Sequence, residues 1–197
     1  MSRHYIFGYG SLINGISRSA TGETGQSWPA RVAGYERHWS VMSDEFGMSS
    51  VAVVPKASAH CNGVIVEVAE SELPAFDHRE QGYQRSAVPL SRLTSLSEAP
   101  LPQGNIWIYH TDAITAPCPQ NPIVLSYADV ILAGCHEISA AFALEFLNHT
   151  QGWHFPTLND RAQPRYPRVQ RQIATPVINQ LIDGVVNLTS EELKKGY

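Results

Sequence analysis

The side chain best placed to move a proton is Glu80. It stands in Leu73-Pro74-Ala75-Phe76-Asp77-His78-Arg79-Glu80-Gln81-Gly82-Tyr83, a short helical pattern that stops at a glycine, and helical spacing puts Phe76, Glu80 and Tyr83 on one face. Two aromatic neighbours would give the Glu80 carboxyl apolar surroundings. Such surroundings raise a carboxyl pKa and let the group take and return a proton near neutral pH. The competing reading is a surface helix on which Asp77, Arg79 and Glu80 are simply solvated, as charge clusters usually are. A second stretch suited to chemistry opens the chain, where Tyr5-Ile6-Phe7 runs into Gly8-Tyr9-Gly10-Ser11-Leu12. Glycines at 8 and 10 can take φ > 0 and bring backbone N–H groups against an anionic or carbonyl oxygen. By itself this loop reads equally well as a strand-ending turn.

These residues must be held by the elements around them. Residues 4 to 9, 29 to 42, 50 to 56, 62 to 69, 83 to 95 and 105 to 111 are rich in β-branched and aromatic side chains, with Gly, Pro, Asn or Ser at their ends, and read as strands. Residues 71 to 81 interrupt them as a helix. Prolines at 100, 102, 117, 119 and 122 mark loops, after which residues 126 to 149 read as one long helix or two short ones broken near Gly134. Strands crowded ahead of long helices give an α+β class: a curved sheet or small barrel with helices against its rim and face. Trp28, Tyr35, Trp39, Trp107 and Tyr109 lie in strand-like runs and are expected in the core or lining the sheet.

Composition narrows the function. At 197 residues the chain is long enough for one domain with a sizeable core. Lys+Arg 14 against Asp+Glu 18 leaves no basic footprint, so neither nucleic acid nor an anionic membrane is an expected partner. Cys61, Cys118 and Cys135 lack C-x-x-C spacing and read as free thiols of a reducing compartment, with the cytoplasm expected. The opening residues show no signal-peptide pattern, and no apolar run approaches bilayer-spanning length. Ser11 follows Gly10 directly, so the G-x-S-x-G order of a nucleophile elbow is not met. His136, Glu137, His149 and His154 follow no H-E-x-x-H spacing, and no metal is expected.

The loop and the acidic helix together resemble the γ-glutamylcyclotransferase superfamily, including its ChaC-type branch and the AIG2-like proteins. Ile6-Phe7-Gly8-Tyr9-Gly10-Ser11-Leu12 matches the family's [FY]-G-Y-G-S-L opening, and Asn62-Gly63-Val64-Ile65-Val66-Glu67-Val68 matches its G-[VT]-[LI]-[FWY]-x-[VIL] strand. Phe76-Asp77-His78-Arg79-Glu80 matches L-D-x-R-E, and Gly82-Tyr83-Gln84-Arg85 matches the tyrosine that follows. The resemblance implies a compact, mixed β-barrel-like sheet with flanking helices. It also implies an internal cyclisation: the α-amine of a γ-glutamyl group attacks its own δ-carbonyl, releasing an amine and leaving 5-oxoproline, with no cofactor. On this reading Glu80 is the general acid/base, and Ile6, Phe7, Gly8, Tyr9, Gly10, Ser11, Leu12 and Tyr83 bind the substrate. The substrate stays open among γ-glutamyl amino acids, γ-glutamylamines and glutathione, since Ile13 is followed by Asn14 where the ChaC-type branch continues [IM]-W. A non-catalytic small-ligand binder or interaction module on the same fold is the alternative.

The chain from about residue 150 to 197 is expected to be an extension packed on the single domain 1–197. Its basic stretch carries Arg161, Arg165 and Arg168, with Pro164 and Pro167 opposing a helix. Two roles are open for it: a solvated loop that ties the tail down, or a strap across the site whose arginine pairs with a leaving-group carboxylate.

Overall fold

The structure, a computed structural model, describes residues 3–20, 22–42, 44–168 and 176–185. Its scaffold is a seven-stranded sheet in the order β4 (Gln84–Ala87), β6 (Asn105–His110), β1 (His4–Gly8), β3 (Ser50–Val68), β2 (Thr24–Ser40), β5 (Leu93–Ser95), with β8 (Thr150–Gln151) added to β2. Strand β1 (His4–Gly8) runs through the middle, antiparallel to β3 (Ser50–Val68) and parallel to β6 (Asn105–His110). All five β1 residues are buried, which is why the segment reads as a continuous apolar run rather than an alternating one. The glycine loop therefore leaves the centre of the sheet.

Strands β2 (Thr24–Ser40) and β3 form a long antiparallel hairpin with a bulge between Ala33 and Tyr35. Gly34 supplies a φ of +88° there, and the bulge bends the ribbon. The early part of β3 is thereby brought to the end of β6, where Thr111 N–H donates to the Val53 carbonyl at 3.0 Å. The sheet curls but is not closed. Its edges are the short strands β4 (Gln84–Ala87) and β5 (Leu93–Ser95).

Several expected boundaries shift. Residues 83 to 95 are not one strand, because Pro89, which has no N–H to give a ladder, precedes a helical turn over Leu90–Arg92 that separates β4 from β5. The runs 50 to 56 and 62 to 69 are one strand, and β2 starts at Thr24 rather than 29. The helical region divides at Ser139, not at Gly134, into α3 (Leu125–Ile138) and α4 (Ala140–Asn148). Ser139 is extended (φ −172°, ψ 160°), and its hydroxyl caps α4 by accepting from Phe142 N–H. Gly134 sits inside α3 for room: a Cβ there would lie 2.6 Å from Asn14 Cα.

That close approach ties α3 to the end of the glycine loop. Asn14 caps α1 (Gly15–Ser19) by accepting from Ile16 and Ser17 N–H groups, and its side-chain amide donates to the Val130 carbonyl in α3 at 3.0 Å. Strands β7 (Ile123–Val124) and β9 (Thr157–Leu158) form a small parallel pair at the start of α3, and β8 (Thr150–Gln151) follows α4. Asp160 accepts from Ser126 N–H and Oγ and from Arg165 N–H, so the segment after β9 is fastened to the first turn of α3. Helix α5 (Pro176–Asp183) buries Ile178 and Ile182. The end of the expected extension lies outside the described residues. Among the described residues no helix is long and apolar enough to cross a membrane.

Candidate active site

The acid/base and substrate-binding residues that the resemblance implies, Ile6 through Leu12, Glu80 and Tyr83, all border one cavity of about 200 Å³. The loop contributes its backbone. After β1 the chain enters a helical turn, Ser11–Ile13, whose N-terminal residue Gly10 has no side chain to cap its amides. Neither Gly8 nor Gly10 has a positive φ, contrary to expectation. They are needed for space: a Cβ on Gly8 would meet Leu12 Cβ at 2.6 Å, and one on Gly10 would meet Val51 Cγ2 at 2.7 Å.

Glu80 does not lie on a helical face with Phe76 and Tyr83. Helix α2 (Leu73–Arg79) ends one residue earlier, Glu80 takes a non-helical conformation (φ −94°, ψ 35°), and Gly82 turns the chain with φ +90°. Phe76 is packed in the core, while Tyr83 reaches the cavity from the turn. The electrostatic expectation survives on other grounds. The Glu80 side chain is only 18% exposed, and burial raises its carboxyl above the usual range, with Arg79 and then Arg168 pulling it back. Arg79 Nε stands 3.0 Å from Glu80 Oε1, and its Nη2 donates to Ser11 Oγ at 3.2 Å. One guanidinium thus joins the acidic residue to the glycine loop. Ser11 has this cation beside it rather than a base, which does not make a nucleophile. Tyr83 Oη donates to the Val51 carbonyl at 3.5 Å, and burial followed by Glu80 raises its pKa.

Helix α2 is docked by Asp77. Its carboxylate accepts from Tyr109 Oη at 2.8 Å and stands 3.2 Å from Arg85 Nη1, so this acidic residue anchors and Glu80 alone of the two faces the cavity. Tyr9 Oη donates to the Tyr109 carbonyl at 2.6 Å, closing the link from α2 through β6 to the loop.

Sequence reasoning missed Arg37. It is fully buried, and its guanidinium donates to the carbonyls of Tyr9 (3.0 Å) and Asn62 (2.7 Å), to Asn62 Oδ1 (2.7 Å) and to Thr150 Oγ1 (2.8 Å). Its central carbon lies 3.8 Å above the Phe146 ring. A charge held by neutral acceptors alone is costly to bury, and what it fixes is the carbonyl preceding Gly10. Arg37→Met should leave three carbonyl-type acceptors unpaired and destabilise the fold by on the order of 3 kcal/mol. It should also raise KM several-fold by loosening Tyr9. Denaturant melts and steady-state kinetics test this, and a variant unchanged in both would strip Arg37 of that role. A strand arginine gives no sequence signal that its side chain turns inward.

Tyr127, Tyr166 and Arg168 also line the cavity and come from beyond the motifs. The rings of Tyr127 and Tyr166 pack 4.8 Å apart, and the Tyr166 and Ser17 hydroxyls are 3.0 Å apart. Of the three arginines in the C-terminal stretch, Arg161 makes a paired contact with Asp129 (2.7 and 2.7 Å) and Arg165 Nη1 donates to the Gly47 carbonyl at 2.6 Å. Those two tie the segment down, and Arg168 faces the cavity. Among the described residues, no group of three or more His, Cys, Asp or Glu is placed to hold a metal.

Comparison with solved structures supports the fold. A structure titled "Gamma-glutamyl cyclotransferase" superposes with a TM-score of 0.58 at 13% identity, over 91% of this chain and 98% of that one. An uncharacterised Homo sapiens protein gives 0.55 at 12%, covering 93% and 99%, and YkqA from Bacillus subtilis gives 0.54 at 17%, covering 80% and 56%. No curated protein matches the sequence. The family described as "Gamma-glutamyl cyclotransferase, AIG2-like" matches residues 6–126, a span that holds the end of β1, its glycine loop, α2 and Glu80, and the chain belongs to that family.

Proposed function

We propose that this protein is a γ-glutamylcyclotransferase-type enzyme that converts a γ-glutamyl compound to 5-oxoproline and a free amine. The observation that carries the reading is the largely enclosed Glu80 carboxylate on the same cavity as Gly8–Leu12. The substrate's α-nitrogen attacks its own δ-carbon, a C–N bond forms, and the C–N bond to the departing amine breaks. In total the α-ammonium gives up two protons to become a lactam N–H, and the leaving nitrogen gains two. Glu80 carries them one at a time, as base toward one nitrogen and acid toward the other. The loop amides hold the substrate carboxylate or the developing oxyanion, and the cavity folds the substrate into attack geometry, an advantage on the order of 7–11 kcal/mol. This chemistry calls for no cofactor. We take residues 1–197 as one domain with the stretch from about residue 150 packed on it, acting in the cytoplasm. The burial of Cys61 and Cys135, whose thiols are pushed up to about 11 and about 12, fits a reducing compartment.

The test is release of 5-oxoproline from γ-glutamyl dipeptides, γ-glutamylamines and glutathione. No release from any of them would leave a ligand-binding protein on a cyclotransferase fold. The pH profile adds a second check. Glu80 must be ionised to accept a proton, and burial raises its pKa, so activity should fall on acidification at a pH above the ordinary glutamate range. Arg79 opposes that rise, so Arg79→Gln should move the acidic limb to higher pH. A limb that stays put, or moves down, would separate Glu80 from the titration.

A further inference from the structure

The cavity also has an apolar wall. Met42, Phe46 and Met48, from the connection between β2 and β3, line it together with Arg168. Phe46 is 56% exposed, the most exposed large apolar side chain among the described residues. Arg165 Nη1 donates to the Gly47 carbonyl at 2.6 Å and so clasps the Arg168 segment against this apolar connection. Arg168 lies outside the stretch matched by the family, residues 6–126. A cation bordering an apolar surface is complementary to a small molecule with one carboxylate and one hydrophobic side chain.

We propose that this wall is the leaving-group subsite and that the substrate is a γ-glutamyl derivative of an apolar amino acid, its side chain against Phe46 and Met42 and its carboxylate on Arg168. The proposal rests on the cyclotransferase reading. An exposed phenylalanine at the rim gains burial when the side chain docks. Arg168 supplies the forked contact that a free carboxylate favours and that an amine without one cannot use.

Binding to the Glu80→Gln protein separates this from the chemistry and from the influence of Arg168 on the Glu80 carboxyl. Calorimetry with γ-glutamyl-phenylalanine, γ-glutamyl-glycine and γ-glutamyl-phenethylamine should show the phenylalanine compound binding about tenfold tighter than the glycine one, a modest value for an apolar side chain in a pocket. Adding Arg168→Ala should weaken γ-glutamyl-phenylalanine about tenfold, as expected for a charge-assisted hydrogen bond, and γ-glutamyl-phenethylamine less than twofold. Adding Phe46→Ala should narrow the gap between phenylalanine and glycine. Equal affinity for those two dipeptides, or an Arg168→Ala loss shared by acid and amine, overturns the subsite. If binding follows the expected pattern while the unsubstituted protein releases no 5-oxoproline, the subsite stands and the catalytic reading falls. If no γ-glutamyl compound binds, the inference falls with it.

Discussion

Glu80→Gln is expected to lower kcat/KM for 5-oxoproline release by about 10²–10⁴-fold, the range that a positioned acid/base group supplies, with affinity for the γ-glutamyl compound retained. The amide keeps the shape of the side chain and its place beside Arg79, 3.0 Å away, but it cannot accept the proton that the α-ammonium sheds. Stability should move the other way. Because burial raises the folded-state pKa of Glu80, its contribution to stability is fully present below the unfolded-state value and is lost as the pH rises through the folded-state value. Where it is ionised, the largely enclosed carboxylate is therefore a liability that glutamine removes. The variant should melt at or above the parent temperature at pH 7, and its advantage should vanish on acidification. Activity within a few-fold of the parent would make Glu80 structural. A lower melting temperature at pH 7 would mean that its partners, rather than its burial, set its energetics.

The parts of this site written in local pattern were readable before any fold was drawn. Strand β1 is buried on both faces and shows as Tyr5-Ile6-Phe7 without alternation, ending at glycines. Helix α2 announces itself by a proline in its first turn and a glycine just past its end. Glu80 is singled out by the L-D-x-R-E resemblance taken together with the glycine loop, and the helical face shared with Phe76 and Tyr83 is not formed. Contacts between distant segments were not readable. Tyr127, Tyr166 and Arg168 reach the cavity from far along the chain, and nothing adjacent to them marks the fact. Arg37 sits in a strand whose partners Tyr9, Asn62 and Thr150 are assembled only by the sheet and α4. The glycines show the same limit: Gly8, Gly10 and Gly134 are needed because another segment passes close by, a cause that the local sequence does not carry. The helix break at Ser139 was hidden because a serine can cap a helix or continue one.

Gly10→Val should all but abolish activity, with kcat/KM falling at least 100-fold, comparable to losing a principal transition-state contact. The cause is room. A Cβ at Gly10 would stand 2.7 Å from Val51 Cγ2 and 3.2 Å from Tyr127 Oη, and a branched side chain adds two methyl groups at the same place. Both neighbours are buried, Val51 at 3% and Tyr127 at 6% exposure, so the side most able to yield is the loop itself. Overpacking of this kind costs about 1–3 kcal/mol in stability, and under the proposed mechanism it would move the amides of Gly10, Ser11 and Leu12 away from the reacting carbonyl. Gly15→Ala is the proper control, since its Cβ would find nothing nearer than Arg18 Nη2 at 3.7 Å. Gly104 would serve badly, because φ there is +153° and a Cβ would lie 2.5 Å from the Arg3 carbonyl oxygen. The decisive measurement is the double variant. If steric displacement is the cause, Gly10→Val combined with Val51→Ala, which removes the nearest obstructing methyl, should recover at least tenfold in kcat/KM over Gly10→Val alone, though Val51→Ala by itself costs stability. A folded Gly10→Val protein with parental kinetics, or a double variant no better than the single one, would show that the loop at Gly10 holds neither the substrate nor its oxyanion.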